Sequence, residues 1–228
     1  MRATIVLFDI DGTLIDAGGA GRASMAQAFE EVAGRRDVGD FPYGGMTDLA
    51  IARQGLRAAG KDEPAHVERL LARYLVHLEH HVARTERFRV LPGVGAILDR
   101  LAAEEHLEVG LGTGNLIRGA ELKLRRGALW ERFAFGGFGS DHEERPVLLQ
   151  HGVARGRARL EARGRADPAR VVVIGDTPKD VAAAHAIGAA CIAVATGHFT
   201  AAALAPTGAD LVVDTLEDPR ALEHVLGR

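Results

Sequence analysis

The stretch Ile5-Val6-Leu7-Phe8-Asp9-Ile10-Asp11-Gly12-Thr13 decides how the chain is read, because an apolar run there ends in two carboxylates and a turn. Ile5 to Phe8 is short, rich in β-branched and large apolar residues, and uninterrupted, as suits a strand buried on both faces of a parallel sheet. Asp9 then falls at the strand's carboxyl end, the edge of an open α/β sheet at which ligands bind. Asp9 and Asp11 alternate with Ile10, so extended backbone points both carboxyl groups the same way, and Gly12 permits a sharp turn. Two close carboxylates repel and call for a shared proton or a cation. A hard ion with oxygen ligands, Mg2+, answers that need. Taken alone, the Asp-Gly pair reads first as the start of a turn. An EF-hand fits poorly, since its glycine and glutamate positions counted from Asp9 are Leu14 and Ala20.

The 228 residues suffice for one full domain and a smaller insert. A hydrophobic fraction of 47%, a charged fraction of 26% and a net charge of −3 describe an ordinary globular chain, with no electrostatic case for nucleic acid or an anionic membrane. The single cysteine, Cys191, excludes an internal disulfide, and its apolar neighbours suggest a buried thiol. No apolar run approaches the roughly 18 residues of a membrane span, and Met1-Arg2 leads directly into the first strand. The expectation is a cytoplasmic protein, monomer or homodimer.

After Asp16 the pattern turns helical and remains so to about Phe88. One helix carries Met25, Phe29 and Val32; Thr47 caps a second through Leu49, Ile51 and Leu56; a third and longest aligns Val67, Leu70, Leu71, Tyr74, Leu75, Leu78 and Val82. From Phe88 strands and helices alternate: a helix through Val94, Ile97, Leu98 and Leu101, a strand from Leu107 to Leu111, and a loop Gly112-Thr113-Gly114-Asn115 opening a helix through Leu116, Leu122 and Leu129. An apolar segment Phe133 to Phe138, a helix from Arg145 to Arg163, and strands at Val171 to Ile174, Ala189 to Ala195 and Leu211 to Val213 follow. This order predicts a doubly wound parallel sheet, an α/β core of residues 1–15 and 88–228, with a helical domain of residues 16–87 inserted into it.

Two further loops lie at predicted strand ends. Gly112 to Asn115 offers a hydroxyl and free amides where an anion is welcome, and Gly175-Asp176-Thr177-Pro178-Lys179-Asp180 adds two carboxylates. The second also reads as a capped helix start. In a parallel sheet all carboxyl ends share one edge, so Asp9, Asp11, Thr113, Asp176 and Asp180 should converge.

Together these motifs resemble the haloacid dehalogenase superfamily, in its phosphoglycolate phosphatase-like branch with a helical cap, over essentially the whole chain. The resemblance implies a Rossmann-like core and a Mg2+-dependent phosphatase of small phosphomonoesters. It implies that Asp9 is the nucleophile, forming an aspartyl-phosphate, and that Asp11 is the general acid and base. Mg2+ would be held by Asp9, the backbone carbonyl of Asp11, and Asp176, with Asp180 nearby. Thr113 and the Gly114 amide, with Gly12, Thr13 and Asn115 around them, would hold the phosphoryl oxygens. One position departs from the pattern. Where the family has lysine before proline, this chain has Glu144-Arg145-Pro146, so Arg145 takes the lysine's place, with Lys123 and Lys179 as alternatives.

A sugar-phosphate mutase would use the same aspartate pair, and a catalytically silent member would serve as a binding module. A dehalogenase lacks the second aspartate, which Asp11 supplies here, and a phosphonatase needs a cap lysine, for which only Lys61 is available. Gly55 to Asp62 imitates a P-loop without its Ser or Thr and reads as a helix end, while His77, His80 and His81 read as a solvated face. The loop Gly44 to Asp48 and the turn near Gly19 to Arg22 are the expected substrate contacts.

Overall fold

The computed structural model describes residues 2–165 and 169–227. Among them six strands form one parallel sheet in the order β5-β4-β1-β6-β7-β8. Its strands are β1 (Thr4–Phe8), β4 (Leu107–Thr113), β5 (Gly136–Phe138), β6 (Arg170–Gly175), β7 (Ala190–Val194) and β8 (Leu211–Val213). A two-residue antiparallel ribbon, β2 (Ile15–Asp16) with β3 (Arg89–Val90), closes the base of the helical insertion. β1 lies centrally, and Phe8 is level with Leu111 of β4 and Ile174 of β6. The chain builds outward from β1 on one side and then on the other, which places the ligand crevice at β1's carboxyl end.

Alternation within β1 divides the core. Val6 and Phe8 join Val172, Ile174, Ile192 and Val194 on one face, continuous with the apolar stripes of α1 (Ala20–Ala33), α2 (Asp48–Ala58), α3 (Pro64–Arg84) and α4 (Val94–Ala102). Ile5 and Leu7 join Val173, Cys191 and Ala193 on the other, covered by α6 (Arg145–Ala162) and α7 (Pro178–Ala186). Ile5 to Phe8 are fully buried, as a strand with helices on both faces requires. The remaining helices are α5 (Ile117–Arg126), α8 (Ala201–Leu204) and α9 (Pro219–Leu226).

The helix predicted through Leu129 is shorter. α5 ends at Arg126, where Gly127 follows as cap, Ala128 adopts a positive φ of 54°, and Leu129 returns to the core outside the helix. Gly112 and Thr113, expected in a loop, are the last residues of β4 and pair with Gly137 and Phe138. Thr47 caps α2 as expected, accepting from the Ala50 amide at 3.1 Å. Gly60, in the stretch resembling a P-loop, turns the chain after α2 with φ of 67°. Cys191 is buried in β7, and burial holds its thiol far above the ordinary value.

Candidate active site

Asp9, Thr113 and Asp176 leave β1, β4 and β6 side by side at the carboxyl edge. The Asp9 amide still donates to the Ile174 carbonyl at 2.9 Å, so Asp9 is fixed to the sheet although it lies beyond the strand. One carboxylate oxygen each from Asp9, Asp176 and Asp180 lie within 4.8 Å of one another, all buried, in a group that could hold a metal ion. Burial raises the Asp9 carboxyl to about 6, with Arg145 opposing and Asp180 and Asp11 adding to the rise. Burial raises Asp176 further, to about 9, and Asp180 and Asp9 reinforce it. Three buried carboxylates this close together constitute a donor set for a hard divalent cation.

Two glycines shape the cradle. A Cβ on Gly12, which has φ of 82°, or on Gly197 would collide with the Asp176 carboxylate. Thr196 fixes this second loop by donating to the Gly12 carbonyl at 2.6 Å. Gly197 is a site residue that the motifs do not reveal, and its neighbour His198 points outward, exposed. Asp180 is held by a capping box at the start of α7: its Oδ2 accepts from the Thr177 amide at 2.9 Å and hydroxyl at 2.7 Å. Its other oxygen meets Arg145.

Arg145 is the first residue of α6 and is buried. Its Nη2 reaches Asp9 Oδ2 at 3.0 Å and also pairs with Asp180. Burial works against its charge, but Asp180 and Asp9 raise its pKa above the usual arginine value. Of the three cations considered for this role, Arg145 alone pairs with Asp9; Lys179 packs its aliphatic stem beside Gly45.

Asp11 has different partners. Its Oδ2 accepts from Lys123 Nζ at 2.6 Å and from Asn115 Nδ2 at 2.8 Å, and Lys123 also donates to Asn115 Oδ1 at 2.6 Å. Asn115 donates in turn to Thr113 Oγ1 at 2.9 Å. The two aspartate carboxylates thus diverge from their expected common direction: Asp9 joins the arginine and acidic cluster, whereas Asp11 is half-exposed beside a buried lysine. Thr13 is fully buried and its hydroxyl faces Asp176 at 3.5 Å.

A third layer comes from the helical insertion. The Asp48 amide donates to the Gly114 carbonyl at 2.8 Å, and Asp48 Oδ2 accepts from the Leu116 amide at 2.8 Å. Thr47 Oγ1 donates to the Glu143 carbonyl at 3.0 Å. Burial raises Asp48 to about 6, opposed by nearby Lys123, and Tyr74 of α3 is buried against the same group. Burial works against the Lys123 charge, but Asp11 and Asp48 hold its pKa above the ordinary lysine value. A Cβ on Gly114 would strike the Met46 carbonyl at 2.5 Å, so that glycine lets the loop Gly44 to Asp48 close onto the strand ends. Arg22 is turned elsewhere, stacked over the Tyr43 ring at 4.1 Å and donating to the Phe41 carbonyl at 2.8 Å.

Comparison with known proteins agrees with this geometry. A family model described as haloacid dehalogenase-like hydrolase matches residues 3–188. A phosphoglycolate phosphatase of Synechococcus elongatus is 28% identical, over 93% of both chains. An N-acetylmuramic acid 6-phosphate phosphatase of Pseudomonas aeruginosa is 29% identical, covering 100% of this chain and 96% of its own. The crystal structure of a hydrolase from Pseudomonas syringae superposes with a TM-score of 0.70 at 20% identity, over 97% of each chain. Among the described residues no helix is long and apolar enough to cross a membrane.

Proposed function

The chain belongs to the haloacid dehalogenase-like hydrolase family and is a phosphatase of that type, and from this premise we propose that it hydrolyses a small phosphomonoester with Mg2+, through a phosphoryl group carried on Asp9. The observation that carries the reading is the environment of Asp9: a buried carboxylate, paired with Arg145, inside a three-carboxylate cluster. An ionised aspartate is a nucleophile, and both the cation and Arg145 favour the ionised form. Asp9, Asp176 and the Asp11 backbone carbonyl would hold the ion, with Asp180 beside them; when bound, it would supply positive charge beside the phosphoryl oxygens.

Asp11 protonates the leaving oxygen and then activates water. Asn115 and Lys123 both engage its Oδ2, so Oδ1 is the oxygen that faces the ester, and the pair fixes its orientation. Thr113, the Gly114 amide and the turn at Gly12, Thr13 and Asn115 surround the phosphoryl oxygens, while Arg145 neutralises charge at the nucleophile. Residues 16–87 act as a cap on a core of 1–15 and 88–228. The Thr47 and Asp48 contacts to Glu143, Gly114 and Leu116 support closure over the site, which excludes bulk water.

For the substrate class, the two relatives named above act on phosphoesters whose names include a carboxylic acid. Lys123, buried where the cap meets Asp11, is the cation on the leaving-group side. We therefore place phosphorylated hydroxy acids first among substrates. Phosphate release from a panel of phosphomonoesters, including phosphoglycolate, with and without Mg2+ and in wild type against Asp9→Asn, tests the reading. Release that requires both supports it. Transfer to a second sugar without net phosphate release would indicate a mutase instead, and absence of turnover on every ester would indicate a binding module.

A further inference from the structure

Where the two chain crossings between sheet and helices meet lies a cavity of about 600 Å³. Gly18, Gly19 and Ala20 of the first crossing, Thr85 and Arg87 of the second, Ala23 and Gln27 of α1, and His77, His80, His81 and Arg84 of α3 line it. Its volume lies within the range of small-molecule sites. The lining contains two arginines, three imidazoles and no carboxylate.

Most of the neighbouring acids have cationic partners. Glu31 pairs with Arg73 and with His77 at 3.0 Å, and Asp16 pairs with Arg89 at 3.0 Å. Glu30 pairs with Arg36, and Glu86 is an exposed neighbour of Arg87 outside the lining. His81 bonds to Gln27 at 3.1 Å, which brings no charge. Burial lowers the His81 pKa, and His77 and His80 lower it further. The Arg87 guanidinium donates to the Gly18 carbonyl at 3.4 Å, so it spans the two crossings, and Arg84 is exposed one turn beyond His80 and His81.

We propose that this hinge cavity is a binding site for a small polyanion, one carrying two or more phosphate or carboxylate groups, held by Arg84, Arg87 and the three histidines. Such a ligand supplies the negative charge that the lining lacks and links the end of α3 to the start of α1. Its affinity rises as pH falls, since each protonated imidazole adds a positive charge. None of this depends on the phosphatase chemistry, and none of these groups belongs to the catalytic crevice.

Isothermal titration with inorganic pyrophosphate, and separately with citrate, tests the site in metal-free full-length protein at low salt. The expected result is saturable binding, about tenfold tighter near pH 6 than near pH 8, weakened about tenfold or more by Arg84→Ala with Arg87→Ala, and unchanged by Asp9→Asn. Citrate matching pyrophosphate assigns a general polyanion site; pyrophosphate alone assigns a phosphate site. Binding that survives the double arginine substitution, that is indifferent to pH, or that never saturates in the millimolar range overturns the proposal.

Discussion

The two halves of the catalytic crevice are built differently. Around Asp9, every partner comes from loops at sheet strand ends or from the first turns of α6 and α7: Arg145, Asp176 and Asp180 are buried and hold one another. Around Asp11, the direct partners Lys123 and Asn115 follow β4, while Asp48 and Tyr74 of the helical insertion pack beside that lysine. The first half depends only on the sheet and can be rigid. The second is complete only when the insertion is seated. On the proposed function, the first half carries the nucleophile and the ion, and the second carries the general acid and recognition of the leaving group.

Substitutions should separate the halves. The largest effect falls on the first. Arg145→Ala leaves two buried carboxylates facing each other, and kcat should fall by about 10² to 10³ with little change in KM; Arg145→Lys, which keeps charge but loses the planar fork, should recover part of that loss. Steady-state kinetics on both variants checks the ranking. Lys123→Met should cost about tenfold to a hundredfold in kcat/KM, and the loss should be larger for a phosphorylated hydroxy acid than for a neutral aryl phosphate. Equal loss on both substrates would remove Lys123 from leaving-group recognition. Asp48→Ala should raise KM by about tenfold, equivalent to roughly 1 to 2 kcal/mol for the lost docking bonds, and leave kcat on a good substrate within a few fold.

A separate effect is on stability. Asp176 and Asp9 have native values raised to about 9 and about 6 from an ordinary 3.8, so without metal the native state binds more protons than the unfolded chain. Their contribution is complete below the ordinary carboxylate value and is lost as pH rises toward about 9. With a chelator present, the thermal midpoint should fall between about pH 6 and pH 9, and saturating Mg2+ should flatten the slope. A midpoint that rises with pH over that window in the chelated protein would count against the acidic cluster as described.

The first half of the crevice was also the legible half. The end of a buried strand marks Asp9, and the shared edge of a parallel sheet brings Asp176 and Asp180 to it, because strand ends are a local signal; the common direction that alternation gives Asp11 does not hold. Arg145 is reached through the family resemblance, which has a lysine before the proline at this position. The second half depends on packing between residues far apart in sequence. Lys123, named in the sequence only as an alternative to Arg145, is buried because α5 lies under α3 and turns that face inward, and its partner is Asp11 rather than Asp9. Gly197 follows a strand like many glycines, and only the position of the Asp176 carboxylate explains why no Cβ fits there. The two-residue ribbon of β2 and β3 is too short to have a pattern, and α5 stops early because Gly127 ends it while Leu129 continues the apolar spacing.

The most direct test of the account is whether Asp9 carries the phosphoryl group. Enzyme mixed with Mg2+ and its best phosphomonoester, quenched in acid within the first turnovers and mapped by peptide mass spectrometry, should carry one phosphoryl group on the peptide containing Asp9. Asp9→Asn should carry none and release no phosphate. Turnover by Asp9→Asn at a rate near wild type, or a phosphoryl group found on another residue, would contradict it.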